Sequence, residues 1–324
     1  MNNTIREASL VTLQTHMLEH ASDESGGDDT LCWIMSALSI SAKAIAAKLK
    51  HARLSDVLGD AGNENVQGEQ QQKLDIIAND IMKTVLSGRP GVAVIGSEED
   101  DDLIFSELGK TGSNYSVFFD PLDGSSNLDV AGGVGTIFSV FKIEEDDVSR
   151  LQPGSAQVAA GYVLYGSSTI LVMTCGNGVH MFVLDTMVGA FIRVAENLKI
   201  PERGKTYSIN EANYLSFPDG YKAYLDACHE QGYSSRYAGA MVADVHRILL
   251  KGGVFMYPPT AKAPNGKLRL MYECNPMTMV IVQAGGLGQT GSGDVLDVEP
   301  RELHQRVPIV LGSPGNVADV LARL

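Results

Sequence analysis

The segment that most constrains this chain is Asp120-Pro121-Leu122-Asp123-Gly124-Ser125-Ser126-Asn127, which follows an aromatic and apolar run at residues 115–119. The run predicts a buried strand, and Pro121 is expected to end its ladder pairing. Asp120 and Asp123 then lie close together, and such carboxylates repel each other unless a cation or proton lies between them. The small residues after Asp123 offer backbone N–H groups to an anion. These features favour a metal-assisted phosphate site, and the alternative is an acidic turn with Asp123-Gly124 at its corner.

The length and composition fit a soluble globular protein with room for two packed lobes: the 324 residues are 44% hydrophobic and 20% charged. A net charge of -14 argues against a nucleic-acid surface. It does not argue against phosphorylated substrates, because bound metals reverse the local field. The four scattered cysteines indicate reduced thiols. With no signal-peptide core and no apolar run of membrane-spanning length, we expect a cytoplasmic protein without a membrane partner, or a plastid protein after transit-peptide removal.

The first part of the chain has the apolar periodicity of helices, over residues 6–20, 30–50 and about 69–86. Residues 52–68 are polar and aperiodic, which predicts a long loop of the kind that forms mobile lids. The third helix places Asp75 and Asn79 on one face. The simplest interpretation of Asp75 is a solvated carboxylate.

A second buried strand is predicted at residues 92–95, and it also ends in acids, Glu98 and Glu99. Ligands collect at the carboxyl ends of parallel strands, so the acids of the two strand ends can converge on one metal site. Short β-like runs separated by glycine-bearing turns follow at residues 161–165, 169–174, 180–184 and 190–194. They predict an antiparallel meander and hence a mixed sheet.

The boundary between the lobes is predicted at residues 201–204, which gives an N-terminal lobe over 1–200 and a C-terminal lobe over 201–324. Alternation over residues 265–273 predicts a strand with one charged face, formed by Lys267, Arg269, Met271 and Glu273. Such a face suits a phosphorylated ligand, and the alternative is a solvent-facing edge strand. Asn275 is predicted to N-cap the next helix. The histidines form no metal-binding array, so His246 is expected in the core or on the surface.

Four motifs in this order resemble those of class I fructose-1,6-bisphosphatase. They are Ser97-Glu98-Glu99-Asp100, the segment 120–127, Val134-Gly135-Thr136-Ile137-Phe138, and the segment from Lys267-Leu268-Arg269-Leu270 to Tyr272-Glu273-Cys274-Asn275-Pro276. The resemblance runs from about residue 8 to residue 323. Asp-Pro-Leu-Asp-Gly-Ser-Ser also occurs in more distant lithium-sensitive phosphatases, whereas Tyr-Glu-Cys-Asn-Pro and Ser-Arg-Tyr are typical of fructose bisphosphatases. Asn213-Tyr214 after Asn210-Glu211 is closer to bacterial members than to animal ones.

The resemblance implies a mixed α/β, layered αβαβα sugar-phosphatase fold that assembles as a homotetramer. It implies oxygen ligands for about two or three Mg²⁺ or Mn²⁺ ions per subunit, namely Glu98, Asp120, the Leu122 carbonyl, Asp123 and Glu273. It implies that the attacking water is oriented or deprotonated by Asp75 and Glu99, with Glu69 as the acid of the lid. The implied ligands of the 1-phosphate are the N–H groups of Gly124, Ser125 and Ser126. Those of the 6-phosphate are Asn210, Tyr214 or its neighbour Asn213, Tyr237, Tyr257, Lys267 and, from a neighbouring subunit, Arg236.

The expected activity is hydrolysis of D-fructose 1,6-bisphosphate to fructose 6-phosphate and phosphate, as in gluconeogenesis. One alternative is a wider substrate range that includes sedoheptulose 1,7-bisphosphate. The other is a non-catalytic sugar-phosphate sensor, which would have lost metal ligands. The resemblance also predicts a weak response to AMP, because Asp28 and Asp29 stand where the family binds the nucleotide phosphate, and Asn114 and Lys142 replace a lysine and an arginine.

Overall fold

The computed structural model describes residues 10–22, 29–55, 58–64, 70–106, 114–143 and 151–324. These residues contain seven α-helices and three sheets, together with short 3₁₀ and π turns. The predicted lid acid Glu69 and the acid Asp28 lie outside these residues. The helices are α1 (Leu13–Ser22), α2 (Asp29–His51), α3 (Lys73–Ser87), α4 (Asp219–Glu230), α5 (Met241–Lys251), α6 (Asn275–Gln283) and α7 (Pro314–Leu321).

The large sheet has eight strands in the order β10-β9-β8-β7-β6-β5-β3-β4. Its strands are β3 (Val92–Ser97), β4 (Ile104–Phe105), β5 (Tyr115–Asp123), β6 (Val134–Lys142), β7 (Gln157–Tyr165), β8 (Thr169–Thr174), β9 (His180–Asp185) and β10 (Ala190–Ala195). Strands β3 and β5 are parallel. The run from β5 to β10 is antiparallel, which confirms the predicted meander and the mixed sheet.

Pro121 does not end strand β5, contrary to the prediction. The register shifts between Asp120 and Asp123, and pairing resumes where Asp123 faces Gly135. Proline is tolerated at such a bulge because its missing N–H is not needed for the ladder. The hydroxyl of Thr136 donates a 2.8 Å hydrogen bond to the Pro121 carbonyl. The bulge therefore presents both aspartates at one end of the strand.

The small sheet has five strands in the order β12-β11-β13-β15-β14. They are β11 (Thr206–Ser208), β12 (Ser234–Ser235), β13 (Val254–Tyr257), β14 (Leu287–Gln289) and β15 (Ile309–Gly312). Three apolar cores separate the layers: one between α1–α3 and the large sheet, one between the sheets around α5 and α6, and one between the small sheet and α4 and α7. This arrangement confirms the αβαβα fold. The lobe boundary after residue 200 stays a prediction, and the second core joins both sides of it.

The segment predicted as a lid loop contains a short hairpin. Strand β1 (Asp60–Glu64) pairs antiparallel with β2 (Gln70–Gln72), and Gly59 and Gly62 adopt positive φ. Helix α3 therefore begins at Lys73, later than predicted, where the Gln72 N–H donates a 2.8 Å hydrogen bond to Asp75 Oδ2. Polar strands that lack alternation give no strand signal in a sequence.

Residues 270–274 form a π-helical turn, so the predicted strand over 265–273 is wrong. The Cys274 N–H donates to the Arg269 carbonyl five residues earlier, at 2.9 Å. The turn leads directly into α6, so Asn275 lies inside the helical path and is buried instead of capping a helix. All five residues of the turn are buried, so its conformation is decided by packing and not by the charge alternation that predicted a strand.

Helix α2 is more apolar than the sequence analysis allowed. Residues 29–54 contain an 18-residue window with mean hydropathy 1.5, enough by length and composition for a membrane span, and 56% of that window is buried inside the protein. Ile34, Leu38 and Ile45 of this helix belong to the first core. The apolar character of α2 is accounted for by this packing.

Candidate active site

A cleft of about 510 Å³ lies at the carboxyl ends of β3 and β5, where the sequence predicts a metal site. It contains thirteen of the predicted site residues, namely Asp75, Glu98, Glu99, Asp120, Leu122, Asp123, Gly124, Ser125, Ser126, Tyr237, Tyr257, Lys267 and Glu273. Parallel strands end at the same edge of a sheet, which is why acids distant in sequence meet here.

Three buried carboxylates form the floor of the cleft. Asp120, Asp123 and Glu273 each offer an oxygen, and these oxygens lie within 4.8 Å of one another. Backbone donors fix the three side chains: Leu122 N–H to Asp120 Oδ1 at 2.9 Å, Val242 N–H to Asp123 Oδ2 at 2.8 Å, and Arg269 N–H to Glu273 Oε2 at 2.6 Å. The Asp123 bond anchors the bulge of β5 to the start of α5.

Burial raises the pKa of all three carboxyls. The pKa of Asp120 is raised well above its ordinary range by burial and then by Glu98, Asp123 and Glu273. Burial raises the pKa of Asp123 to about 7, and the backbone donors Val242 and Met241 limit the rise. Burial raises the pKa of Glu273 to about 8, although the Arg269 charge opposes it. Buried acids of this kind retain protons near neutral pH unless a cation replaces them, so this all-oxygen donor set fits a hard divalent metal.

Arg269 is the principal residue of the cleft that the predicted site omits. Its guanidinium is only 4% exposed and lies 2.6 Å from Glu98 Oε1 and 3.7 Å from Glu273 Oε2. The sequence places Arg269 on a strand face beside Lys267, whereas the π turn directs it into the acids. The sequence signal for this contact was the spacing of four residues between Arg269 and Glu273, which brings opposite charges together in a helical turn.

An anion cradle adjoins the acids. Gly124, at φ 74°, leads into the 3₁₀ turn Ser125–Val130. The first N–H groups of a helical turn have no partner within the turn and can bind an anion. A Cβ on Gly124 would lie 2.3 Å from the Ala240 Cβ, so only glycine allows this close approach. The bulge thus presents acids and N–H donors side by side.

Residues 11–196 match the family model described as "Fructose-1-6-bisphosphatase, N-terminal domain". Residues 200–324 match the model described as "Fructose-1-6-bisphosphatase, C-terminal domain". The chain belongs to the fructose-1,6-bisphosphatase family. The holo form of fructose-1,6-bisphosphatase from Leishmania major is 38% identical, with 97% of this chain and 99% of that chain covered and a TM-score of 0.92. The apo form of the Leishmania major protein is 36% identical with the same coverage and a TM-score of 0.87. The family resemblance is confirmed, and the likeness to bacterial members stays a prediction.

The acids to which the fructose-1,6-bisphosphatase resemblance assigns the water lie on the α3 side of the cleft. Asp75 is only 3% exposed, so its interpretation as a solvated carboxylate is wrong. Glu99 accepts a 2.6 Å hydrogen bond from Gln71 Nε2 at the end of the hairpin. Gln72 also lines the cleft, so strand β2 joins the hairpin to the site.

The sugar side of the cleft contains three of the predicted 6-phosphate ligands. Tyr237, Tyr257 and Lys267 line it. Three other predicted ligands are described but lie outside the lining: the Asn210 side chain caps Ala212 N–H, the Tyr214 hydroxyl donates to Asp226 at 2.8 Å, and the exposed Arg236 donates to the Ser235 carbonyl.

Asp244 also lines the cleft and was missed by the sequence analysis. Its carboxylate accepts from the Ala238 N–H at 2.9 and 3.1 Å, and burial raises its pKa to about 6. It fixes the loop that contains Tyr237. An acid in the first turn of α5 was the available signal, although helix starts carry such acids for many reasons.

Proposed function

We propose that this chain hydrolyses D-fructose 1,6-bisphosphate to fructose 6-phosphate and phosphate with Mg²⁺, or Mn²⁺, as cofactor. The observation that carries the proposal is the bulge of β5, which presents buried carboxylates and an anion cradle at one point. Phosphate monoesters hydrolyse extremely slowly without a catalyst. Enzymes lower the activation barrier of this reaction by about 20 kcal/mol or more. Membership of the fructose-1,6-bisphosphatase family supports the choice of substrate.

The acids have distinct proposed roles. About two or three ions are held by Glu98, Asp120, the Leu122 carbonyl, Asp123 and Glu273. When bound, Mg²⁺ supplies Lewis-acid chemistry that neutralises charge on the phosphoryl oxygens. Asp75 and Glu99 orient the attacking water and accept its proton, and the burial of Asp75 on the α3 side keeps bulk water away from it. The N–H groups of residues 124–126 hold the 1-phosphate in place.

The remote phosphate anchors the sugar. Lys267, Tyr237 and Tyr257 contribute a cation and two hydroxyls from the lining of the cleft. Arg236 is exposed, which is compatible with binding the 6-phosphate of a neighbouring subunit in a homotetramer. We also propose the cytoplasm as the compartment, where this sugar phosphate would be met.

The experiment is phosphate release from a panel of sugar phosphates, with Mg²⁺ and with EDTA. Fructose 1,6-bisphosphate should be hydrolysed only with Mg²⁺, and Asp120→Asn should abolish turnover without unfolding the protein. Asp297→Asn, at an exposed acid, is the matched control and should keep full activity. Substantial turnover by Asp120→Asn at saturating Mg²⁺ would contradict the proposal. An equal kcat/KM for sedoheptulose 1,7-bisphosphate would favour the wider substrate range.

A further inference from the structure

The half-buried His304 lies between the two segments that contain the candidate ligands Glu98 and Glu273. Its Nδ1 is 2.7 Å from the hydroxyl of Tyr272, and its Nε2 is 3.0 Å from the carbonyl oxygen of Asp100. Tyr272 immediately precedes Glu273 in the π turn, and Asp100 follows Glu98 at the end of β3. One imidazole ring therefore joins both segments, and it lines no part of the cleft itself.

The two hydrogen bonds fix the tautomer of His304. A carbonyl oxygen can only accept, so Nε2 bears the proton that is donated to Asp100. A neutral imidazole has one N–H, so Nδ1 accepts from the Tyr272 hydroxyl. Burial lowers the pKa of His304 and raises the pKa of Tyr272 well above its ordinary value, which keeps both groups neutral.

The Asp100 end of this bridge is fixed to helix α3. The Asp100 carboxylate accepts from Lys83 Nζ at 2.9 Å and from Asn79 Nδ2 at 3.2 Å. Asn79 Oδ1 in turn accepts from the Ser97 hydroxyl at 2.8 Å, and Ser97 Oγ accepts from the Glu99 N–H at 3.2 Å. The segment that contains Glu98 and Glu99 is thus hydrogen-bonded both to α3 and to His304.

The backbone around His304 is fixed to the start of the π turn. The Leu270 N–H donates to the Gln305 carbonyl at 2.7 Å, and the Val307 N–H donates to the Leu268 carbonyl at 3.0 Å. Leu303 packs in a buried cluster with Phe118 of β5 and Tyr272. The histidine therefore has a rigid base from which to hold the end of β3.

We propose that His304 is a positioning residue that sets the distance between the Glu98 and Glu273 carboxylates and so raises the affinity of the cluster for divalent cations. The Arg269 guanidinium already joins the Glu98 and Glu273 side chains, at 2.6 and 3.7 Å. The His304 bridge joins the backbone segments that contain them, and so limits their separation when the buried acids repel each other in the metal-free protein. The inference rests on the proposed metal-binding function. Groups that orient metal ligands from behind are commonly worth about 10- to 100-fold in metal affinity.

The test is Mg²⁺ binding by calorimetry to the metal-free full chain, together with the Mg²⁺ dependence of phosphate release. His304→Ala should raise the Mg²⁺ Kd by about 10-fold or more. At saturating Mg²⁺ its kcat should stay within about threefold of wild type, because His304 contacts no reacting group. His304→Gln keeps an amide N–H near the position of Nε2, so it should restore most of the affinity.

A pair of tyrosine variants provides the matched control. Tyr162 and His246 form a buried hydroxyl–Nδ1 pair at 2.8 Å in the second core, much like Tyr272 and His304. Both Tyr272→Phe and Tyr162→Phe should lower the melting temperature, but only Tyr272→Phe should raise the Mg²⁺ Kd. This comparison decides the question if His304→Ala does not fold.

The outcomes separate the two proposals. An unchanged Mg²⁺ Kd in folded His304→Ala or Tyr272→Phe, with wild type active, would overturn the positioning role alone. An equal rise in Kd for Tyr162→Phe would also overturn it, since any lost core hydrogen bond would then suffice. A wild-type chain that neither binds Mg²⁺ nor releases phosphate would refute the metal-dependent function itself.

Discussion

The buried Glu273 is expected to destabilise the metal-free protein as pH rises. Its pKa is about 8 in the folded chain against an ordinary value of 4.5. Between these pH values the folded state keeps a proton that the unfolded state has lost, so the free energy of unfolding falls with rising pH and levels off above about 8. In Glu273→Gln, which has no charge to bury at this position, the contribution of Glu273 to this fall should disappear.

The size of the effect follows from the same shift. At about 1.4 kcal/mol per pKa unit, an isolated Glu273 would lose about 5 kcal/mol across the window. Because Asp120, Asp123 and Glu273 titrate together, part of the loss passes to the neighbouring acids when one is removed. We therefore expect the free energy of unfolding of Glu273→Gln to fall by about 2–5 kcal/mol less than that of wild type between about pH 5 and pH 9.

The assay is equilibrium urea unfolding with EDTA at the two pH values. Glu230→Gln, at an exposed acid near the end of α4, changes the formal charge equally and should fall as wild type does. Adding Mg²⁺ at high pH should stabilise wild type and Glu230→Gln much more than Glu273→Gln. Equal falls for wild type and Glu273→Gln in the absence of metal would refute the reasoning from burial.

Three further predictions concern the cradle, the sugar site and regulation. Gly124→Ala should abolish phosphate release, because its Cβ would meet the Ala240 Cβ at 2.3 Å, whereas Gly189→Ala, at nearly the same φ with nothing within 4 Å, should lose only about 1 kcal/mol of stability by thermal unfolding; equal activity losses would contradict this. Arg236→Ala should raise KM more than it lowers kcat, since the 6-phosphate does not react, and mixed oligomers with Asp120→Asn should restore KM; no rescue at any mixing ratio would argue against a contribution across subunits. AMP should inhibit only weakly in a titration at subsaturating Mg²⁺, and half-inhibition in the low micromolar range would contradict that prediction.

The parts of the fold that depend on local pattern could be predicted from the sequence. The meander from β7 to β10 follows from alternating short apolar runs between glycine turns. The convergence of Glu98 with Asp120 and Asp123 follows from two strands that end in acids within one mixed sheet. Both predictions use information that lies within about ten residues of each element.

The features that were missed depend on contacts between distant segments. Asp75 has the sequence context of a solvated helix acid, and only the packing of α3 beside the cleft buries it. The bulge at Pro121 depends on the partner strand, since Thr136 of β6 supports the proline carbonyl. Arg269 and Glu273 alternate as in a strand, and a π turn that is buried on both sides decides otherwise. The burial of Asp75, the bulge at Pro121 and the π turn cannot be predicted from the periodicity of a single segment, because each depends on contacts with other segments.

The π turn also limits which changes of chain length this site can accept. Successive residues of an α-helix differ by about 100° in direction, so removal of one residue between Arg269 and Asn275 would relax the turn to an ordinary helix and rotate Glu273 away from Asp120 and Asp123. The helix that follows would still form, and the second core could still pack. A designer who shortens or idealises this segment would therefore obtain a folded protein with a disassembled site. Here the number of residues matters as much as their identity.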